Sequence, residues 1–258
     1  MSTYDNFKSK IYQLTGINLS SYKERQMKRR IESLMKRNEF TSFDEYYRGL
    51  ERNKERYEEF INYLTINVSE FYRNPSQWEV LEKEVIPSLL KKSTNLKIWS
   101  AACSTGEEPY SLVMLLSKFM PLNKINIIAT DIDKMAIERA KTGLYSKKSL
   151  TNLPPKFVQD FFTPRGEDYQ IKDAVKSRVS FKSMNLLEDT YPSGCDLIIC
   201  RNVMIYFTEE TKSAMYHKFH NALKPHGVLF VGGTEQIILP NRYNLAPVKT
   251  FFYKKVSI

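Results

Sequence analysis

The sequence has few cysteines and no long apolar run. Its three cysteines, Cys103, Cys195 and Cys200, form no Cys-x-x-Cys pair, which argues against a disulfide framework and fits a reducing compartment. No apolar stretch approaches the roughly 18 residues of a membrane span, and the N-terminal MSTYDNFKSK has no signal-peptide core. We therefore expect a soluble, cytoplasmic protein that does not insert into membranes.

Metal-ligand spacing is also missing. The three histidines are His217, His220 and His226, and together with the scattered cysteines they match no zinc motif. Only His217 and His220 lie one helical turn apart, and no third ligand accompanies them. The sequence therefore predicts no metal site.

Positive charge is in excess. Lysine and arginine total 39 against 29 aspartates and glutamates, which gives a formal net charge of +10. Such a surplus is typical of proteins with an acidic partner, whether a nucleic acid, a membrane surface or an acidic protein. Charge alone does not choose among these partners.

The two parts of the chain differ in periodicity. Roughly the first 92 residues show helical spacing only, as in SSYKERQMKRRIESLMKRNEF, where Met27, Ile31 and Leu34 recur on one face. Farther along, short apolar runs (LKIWSAAC, INIIATDID, RVSFKSMNL, CDLIICRNV and GVLFVGG) alternate with helical patterns. This alternation predicts an α/β fold with a parallel sheet and helices on both faces. A stretch with several prolines at about 145–178 breaks the rhythm, and we interpret it as an insertion between the second and third strands.

The turn after the first predicted strand, CSTGEE, suits a nucleoside but not a phosphate group. It has one glycine and places Glu107 and Glu108 at the start of a helix, where a pyrophosphate would meet like charge. Asp131 ends the second strand 25 positions after Gly106, the place of a ribose-binding carboxylate in nucleotide-binding βαβ units. Either carboxylate alone has an ordinary explanation, as a helix-start or loop residue. Together they favour a phosphate-free nucleoside that carries a cation: S-adenosylmethionine, with Glu107 accepting from its ammonium group and Asp131 from its ribose.

Five motifs carry a resemblance to a known family: TINVSEFYRN, WSAACSTGEEPYS, ATDID, NLL and CRNVMIYF. They resemble the chemotaxis receptor methyltransferases of the CheR family, and the resemblance covers nearly the whole chain. It implies an N-terminal helical domain at 1–75 and a Rossmann-like S-adenosylmethionine-dependent methyltransferase domain at 76–258, with a small β-subdomain inserted at about 145–178. The implied reaction is methyl transfer to glutamate side chains on the cytoplasmic helical domain of methyl-accepting chemoreceptors, with S-adenosylhomocysteine as the second product.

The resemblance also implies the cofactor contacts, which are Asn67, Ser69, Arg73, Glu107, Asp131, Asn185, Leu186, Arg201 and Asn202. The family usually has a threonine where Ser69 stands, so the hydroxyl group is kept. Arg73 either meets the carboxylate of the cofactor's methionine or orients the substrate. Asn185 either reads the adenine edge or is a turn residue. Because the first three contacts precede the sheet, the end of the helical domain is expected to cover the cofactor.

Methyl transfer to a carboxylate needs no general base, since a glutamate side chain is ionised at pH 7. An anion and a sulfonium cation combine into neutral products, so the protein has to exclude water and align the reacting atoms. We predict that Arg73, Arg201 and Tyr206 only position the substrate, and simple packing is the alternative for Tyr206. Cys103 and Cys200 are expected to be buried apolar residues rather than methyl acceptors.

The basic segment between Ser21 and Asn38 is the predicted docking surface for the acidic receptor. Its docking residues are Lys23, Arg25, Lys28, Arg29 and Arg30. A solvated helix face is the alternative. Charge reversal at Lys28, Arg29 and Arg30 is expected to impair receptor methylation and to spare cofactor binding.

The inserted subdomain resembles one that captures a C-terminal receptor pentapeptide in some family members. Its loop TPRGEDYQ is compact and lacks the extra glycine-rich residues of tether binders. We therefore expect the protein to work independently of the tether. The sequence does not determine the oligomeric state, and a monomer is our separate expectation.

Two other functions compete with this interpretation. The basic charge suits a nucleic-acid methyltransferase, but RNVMIY lacks the proline-rich motif such enzymes carry at the fourth strand, so we expect no nucleic-acid partner. A module that binds S-adenosylmethionine without turnover is the second alternative. Labelled methyl transfer separates these functions.

Overall fold

The computed structural model describes residues 3–256, which divide into two compact units. Within these residues, the helical unit comprises 3–67 and Met204–Ala214, and the sheet unit comprises Val68–Val203 and 215–256. Within residues 3–256, no helix is both long enough and apolar enough to cross a membrane.

The helical unit begins with four helices, α1 (Thr3–Thr15), α2 (Glu24–Arg37), α3 (Phe43–Arg52) and α4 (Lys54–Thr65). Side chains cap two of them: the Ser42 hydroxyl accepts from the Glu45 amide, and the Asn53 side-chain oxygen accepts from the Arg56 amide. The core of this unit is aromatic. Tyr46 is fully buried, and its ring packs edge-to-face against that of Phe60, with the two ring centroids 5.9 Å apart. The apolar positions predicted on α2 are buried, which explains why this charged sequence forms a helix.

The segment Met204–Ala214 joins the helical unit although it lies far along the chain. The amide of Lys23 donates to the Tyr206 carbonyl oxygen at 2.9 Å, and the Thr208 amide donates to the Ser21 carbonyl oxygen at 3.0 Å. The rings of Tyr22 and Phe207 lie 4.8 Å apart. These backbone bonds attach the segment at the start of α2.

The remaining helices are α5 (Pro75–Val80), α6 (Ile86–Leu90), α7 (Glu107–Leu116), α8 (Lys134–Thr142), α9 (Pro155–Phe161), α10 (Asp173–Lys176) and α11 (Glu209–Ala222). A π-helical turn, Leu81–Val85, connects α5 to α6 without a break. The strands are β1 (Ile98–Ala101), β2 (Ile127–Asp131), β3 (Leu144–Ser146), β4 (Phe162–Arg165), β5 (Asp168–Ile171), β6 (Val179–Ser183), β7 (Cys195–Cys200), β8 (Leu223–Val231), β9 (Leu245–Lys249) and β10 (Phe252–Lys255).

Seven strands form the main sheet in the order β6-β2-β1-β7-β8-β10-β9. The first five in this order are parallel, and β10 pairs antiparallel with both β8 and β9. Strands β1 and β7 are buried along their whole length, as expected for a sheet covered on both faces. The order reverses between β1 and β7, and such a reversal places a ligand crevice beyond the carboxyl ends of the strands. The predicted α/β fold is confirmed.

A second sheet of three antiparallel strands, in the order β3-β5-β4, lies between β2 and β6 along the chain. This is the predicted small β-subdomain, in the predicted place between the second and third strands of the main sheet. A turn of Gly166 and Glu167 connects β4 to β5, and Gly166 adopts a positive φ of 61° that favours glycine.

The division between the units differs from the boundary predicted at residue 75. The sheet unit begins at Val68 because Phe71 is fully buried there, 4.8 Å from the ring of Tyr145 and 5.4 Å from that of Phe162. The motif NVSEFYRN therefore belongs to the sheet unit from its valine onward.

Candidate functional site

The turns after β1 and β2 are tied together by one carboxylate. Asp131 accepts from the Ser104 amide at 2.7 Å and from the Asp133 amide at 2.9 Å. Ser104 has a positive φ of 47°, an uncommon conformation that this hydrogen bond stabilises. Gly106, with φ of 94°, then starts α7, and a Cβ there would lie 2.8 Å from the side chain of Ala140. The sequence CSTGEE thus forms a tight strand-to-helix turn, as predicted.

Glu107 is the first residue of α7, and its side chain is turned inward with only 4% of the residue exposed. Its carboxylate accepts from the hydroxyl of Thr105 at 2.7 Å and from that of Ser69. Burial raises the pKa of the Glu107 carboxyl, and these hydrogen bonds oppose the rise. Burial likewise raises the pKa of Asp131 to about 6, against the lowering effect of its backbone hydrogen bonds.

Neither carboxylate has a cation beside it. Among residues 3–256, Glu107 and Asp131 form no salt bridge, and burial is the largest influence on the pKa of each. Two buried acids without a counter-ion are costly, and a ligand that brings a cation and hydroxyl donors compensates them. This donor set fits S-adenosylmethionine: Glu107 would hold the ammonium group and Asp131 the ribose hydroxyls.

The segment Val68–Gln77 carries two further predicted contacts and packs on α7. Ser69 reaches Glu107 through its hydroxyl, and the Tyr72 amide donates to the Ser111 hydroxyl of α7 at 3.2 Å. Arg73 is half-buried, and its Nη1 donates to the Val68 carbonyl oxygen at 3.0 Å. The structure thus brings Ser69 to Glu107, and Arg73 lies on the same segment of the sheet unit.

Arg201 and Asn202 follow β7 directly. The Arg201 side chain is buried, and its guanidinium bonds to the Val68–Gln77 segment. Asn202 has a positive φ of 60°, and its amide donates to Glu235 Oε2 at 2.6 Å. The Gly232 amide donates to the same oxygen at 2.8 Å, and a Cβ on Gly232 would lie 2.4 Å from it. The sequence analysis missed Glu235, which buries a carboxylate to fix this turn.

Asn185 and Leu186 lie in the loop after β6. The Asn185 side-chain oxygen accepts from the Leu187 amide at 3.0 Å, an Asx turn, which is the structural role left open for this residue. Lys218 of α11 donates to the carbonyl oxygens of Leu186 at 3.0 Å and Asp189 at 2.9 Å. Burial lowers the pKa of this lysine. Lys218 is a second missed residue, and no local pattern in its helix marks it.

Two predicted contacts lie in the helical unit instead. The Asn67 side-chain amide donates to the Thr65 hydroxyl at 3.1 Å and to the Asn62 side chain at 3.3 Å. Tyr206 lines a pocket of about 270 Å³. The other lining residues are Lys23, Gln26, Met27, Arg29 and Arg30. The cofactor and positioning roles of Asn67 and Tyr206 stay predictions.

The predicted docking residues in α2 fall into two groups, those that are exposed and those that lie against a tyrosine ring. Arg25 and Arg29 are exposed. Arg30 donates to the Tyr63 carbonyl oxygen, and its guanidinium lies 4.6 Å from the centroid of the Tyr63 ring. Lys28 lies 5.3 Å from the ring of Tyr4. Arg30 therefore stabilises the packing of α2 on α4, whereas Arg25 and Arg29 present their charge to solvent.

The free cysteines near the strand ends are buried. Burial raises the pKa of Cys103 and Cys200 well above that of an ordinary thiol, which keeps both protonated and poorly nucleophilic. Across the described residues, no cluster of three or more acidic, histidine and cysteine side chains is arranged to hold a metal ion.

Comparison with known proteins finds relatives over most of the chain. Two family models match: CheR methyltransferase, all-alpha domain, at residues 2–65, and CheR methyltransferase, SAM binding domain, at residues 67–252. A chemotaxis protein methyltransferase of Listeria innocua is 44% identical over 241 residues, which cover 93% of this chain and 92% of that protein. Chemotaxis protein methyltransferases of Borreliella burgdorferi and Escherichia coli are 35% and 34% identical and cover 95% and 91% of this chain, with 91% and 85% of their own lengths matched. Among solved structures, PKMT2 from Rickettsia typhi in complex with AdoHcy is 20% identical over 53% of this chain and 20% of that chain, with a TM-score of 0.35.

Proposed function

This chain belongs to the CheR family of chemotaxis protein methyltransferases, and on that premise we propose that it methylates glutamate side chains on the cytoplasmic helical domain of chemoreceptors. The observation that carries the proposal is the pair of buried carboxylates, Glu107 and Asp131, neither of which forms a salt bridge within the described part of the chain. Such a pair suits the cationic nucleoside S-adenosylmethionine, which when bound supplies an electrophilic methyl group on a sulfonium sulfur.

The chain's own residues bind and orient rather than transfer protons. Glu107 holds the ammonium group, Asp131 the ribose hydroxyls, and Arg73 the carboxylate of the cofactor or of the incoming glutamate. The Asn185–Leu186 loop would hold the adenine. No general base is needed because the substrate glutamate is already ionised, and burial of the reacting oxygen away from water favours the neutral ester.

The proposed receptor-binding surface of this chain is the one that carries exposed positive charge. The exposed Arg25 and Arg29, with Lys23 and the pocket beside Tyr206, form a basic surface that suits acidic segments of a helical receptor. We further propose that the protein acts as a monomer and without a receptor tether. The short Gly166–Glu167 turn offers little chain for tether capture.

The test of this function is the chemistry of the product. The chain is incubated with methyl-labelled S-adenosylmethionine and a receptor cytoplasmic fragment, and the labelled fragment is treated with mild base. Release of labelled methanol is expected, since a glutamyl methyl ester is base-labile. Base-stable label, or label on added RNA alone, would contradict the receptor assignment. Cofactor binding without methyl transfer would favour the alternative of a module that binds S-adenosylmethionine without turnover.

Cofactor affinity is expected to depend on pH through Asp131. Below its pKa of about 6 the carboxyl is protonated and loses an acceptor for the ribose, so affinity falls about tenfold per pH unit there and is constant above about pH 7. The stability of the unliganded protein is expected to change with pH in the opposite direction to the cofactor affinity. The folded pKa exceeds the ordinary 3.8, so this group's contribution to the free energy of unfolding decreases as the pH rises from 3.8 to about 6.

Calorimetry with S-adenosylhomocysteine between pH 5 and 8 measures the expected midpoint. Asp131→Asn provides the control, since it removes the titrating group and leaves the neighbouring Glu107. A midpoint near 6 that persists in this variant would assign the titration to another group, of which Glu107 is the nearest candidate.

A further inference from the structure

Arg201 joins the end of β7 to the Val68–Gln77 segment. Its Nη2 donates to the Arg73 carbonyl oxygen at 2.9 Å, to Asn74 Oδ1 at 3.0 Å and to Gln77 Oε1 at 2.9 Å. The Arg201 side chain is 2% exposed. Nη2 makes its hydrogen bonds to protein, and they hold the backbone on which Arg73 sits, whereas the buried Nε has no hydrogen-bond partner among the described residues.

The positive charge of Arg201 is balanced by the carboxylate of Glu108. Its Nη1 lies 3.7 Å from Glu108 Oε2, and Glu108 accepts from the Ser100 hydroxyl of β1 at 2.7 Å. The guanidinium also lies 4.8 Å from the centroid of the Phe230 ring in β8. Burial lowers the pKa of Arg201, but an arginine stays charged in proteins. The second glutamate of CSTGEE thus has a role: it anchors Arg201 to the centre of the sheet.

The segment that Arg201 holds leads to the amino-acid end of the proposed cofactor site. Ser69 bonds to Glu107, and Arg73 bonds back to the Val68 carbonyl oxygen. The Trp78 indole N–H donates to the same Arg73 carbonyl oxygen at 3.0 Å, so this oxygen is fixed by two donors. The ribose side depends on Asp131 and the β2 turn, which have no bond to Arg201 among the described residues.

We propose that Arg201 is a positioning residue: it sets the Val68–Gln77 segment so that Ser69, Glu107 and Arg73 meet the amino-acid part of the cofactor. This inference rests on the proposed function, because it assumes that S-adenosylmethionine binds there. It assigns the guanidinium of Arg201 a role through Arg73 rather than contact with the ligand.

The test compares two ligands that differ in the amino-acid part. S-adenosylhomocysteine carries it, whereas 5′-methylthioadenosine keeps the adenosine and a thioether but has no ammonium or carboxylate. Arg201→Lys retains the charge opposite Glu108, but its ammonium nitrogen lies one bond short of the place of Nη2 and does not reach the same three acceptors. We expect its Kd for S-adenosylhomocysteine to rise about tenfold, the scale of one lost charged hydrogen bond, and its Kd for 5′-methylthioadenosine to change less than about twofold.

Gln77→Met serves as a second variant, because it removes one acceptor and leaves the Arg201–Glu108 pair in place. We expect a rise of about threefold in the Kd for S-adenosylhomocysteine alone. In the double variant the Gln77 substitution is expected to add nothing, since its partner is already gone. Ser76→Ala, at an exposed position of the same segment, is the matched control and is expected to bind both ligands normally.

Selective loss with a non-additive double variant supports the proposal. Equal loss of both ligands in Arg201→Lys, or unchanged S-adenosylhomocysteine binding in both single variants, would overturn it and leave the proposed function standing. Failure of the unaltered chain to bind S-adenosylhomocysteine would instead overturn the proposed function and, with it, this inference.

Discussion

Replacing Glu107 with glutamine is expected to raise the Kd for S-adenosylhomocysteine about ten- to a hundredfold and to leave the Kd for 5′-methylthioadenosine nearly unchanged. The substitution keeps the shape of the side chain, removes the charge and turns one acceptor oxygen into a donor, which the Thr105 and Ser69 hydroxyls can still meet because a hydroxyl also accepts. A buried carboxylate facing an ammonium group makes a charge-assisted hydrogen bond, which is stronger than a neutral one. 5′-Methylthioadenosine has no ammonium group, so it makes no such hydrogen bond that the substitution could remove.

Asp131→Asn provides the contrasting pattern. Asp131 is assigned to the ribose, which both ligands carry, so both dissociation constants are expected to rise by a similar factor of about ten or more. Calorimetry or fluorescence competition measures all four values. A Glu107→Gln variant that loses both ligands equally would contradict the assignment of Glu107 to the ammonium group. Unchanged binding in both variants would contradict the location of the site.

The residues whose closeness could be predicted from the sequence lie near a strand end in the chain itself. Glu107 and Asp131 follow apolar runs directly, so the rule that ligands bind at the carboxyl edge of a parallel sheet brings their turns together without further information. The bond from the Ser104 amide to Asp131 confirms that the two turns meet. The same reasoning located the β-subdomain, because prolines and the glycine turn interrupt the strand–helix alternation.

The residues that the sequence missed act over long distances along the chain. Glu235 fixes the Asn202 turn and Lys218 fixes the loop that carries Leu186, and neither stands in a local pattern that marks it. Their roles depend on which loops the β8 and α11 connections bring together. The Met204–Ala214 segment is a similar case, since it attaches at the start of α2 through backbone hydrogen bonds and one ring contact that no local sequence pattern marks. Arg30 had the same apparent role as Arg29 until its bond to the Tyr63 carbonyl distinguished them.

Reversing the charge of Arg25 and Arg29 together is expected to lower kcat/KM for a receptor fragment about tenfold at low salt. Both side chains are exposed on α2, so the substitutions Arg25→Glu and Arg29→Glu leave the buried face of the helix intact. The effect is expected to shrink as salt is raised, because charges on a surface are screened within roughly 8 Å at physiological ionic strength. Binding of S-adenosylhomocysteine is expected to be unaffected, since its proposed contacts lie on other residues. Arg30 is left unchanged, because its loss would weaken the packing of α2 on α4 and confuse stability with docking.

The matched control reverses Lys91 and Lys92, which are exposed in the sheet unit just after α6. It changes the net charge by the same amount, so a long-range effect of total charge lowers receptor methylation equally in both variants. A loss confined to Arg25→Glu/Arg29→Glu assigns docking to the α2 surface. Equal losses in both variants would mean that α2 acts only through its contribution to the net charge of +10, and not as a specific docking surface. No loss in either would make this helix a solvated face, and the acidic receptor would then be recognised by another part of the molecule.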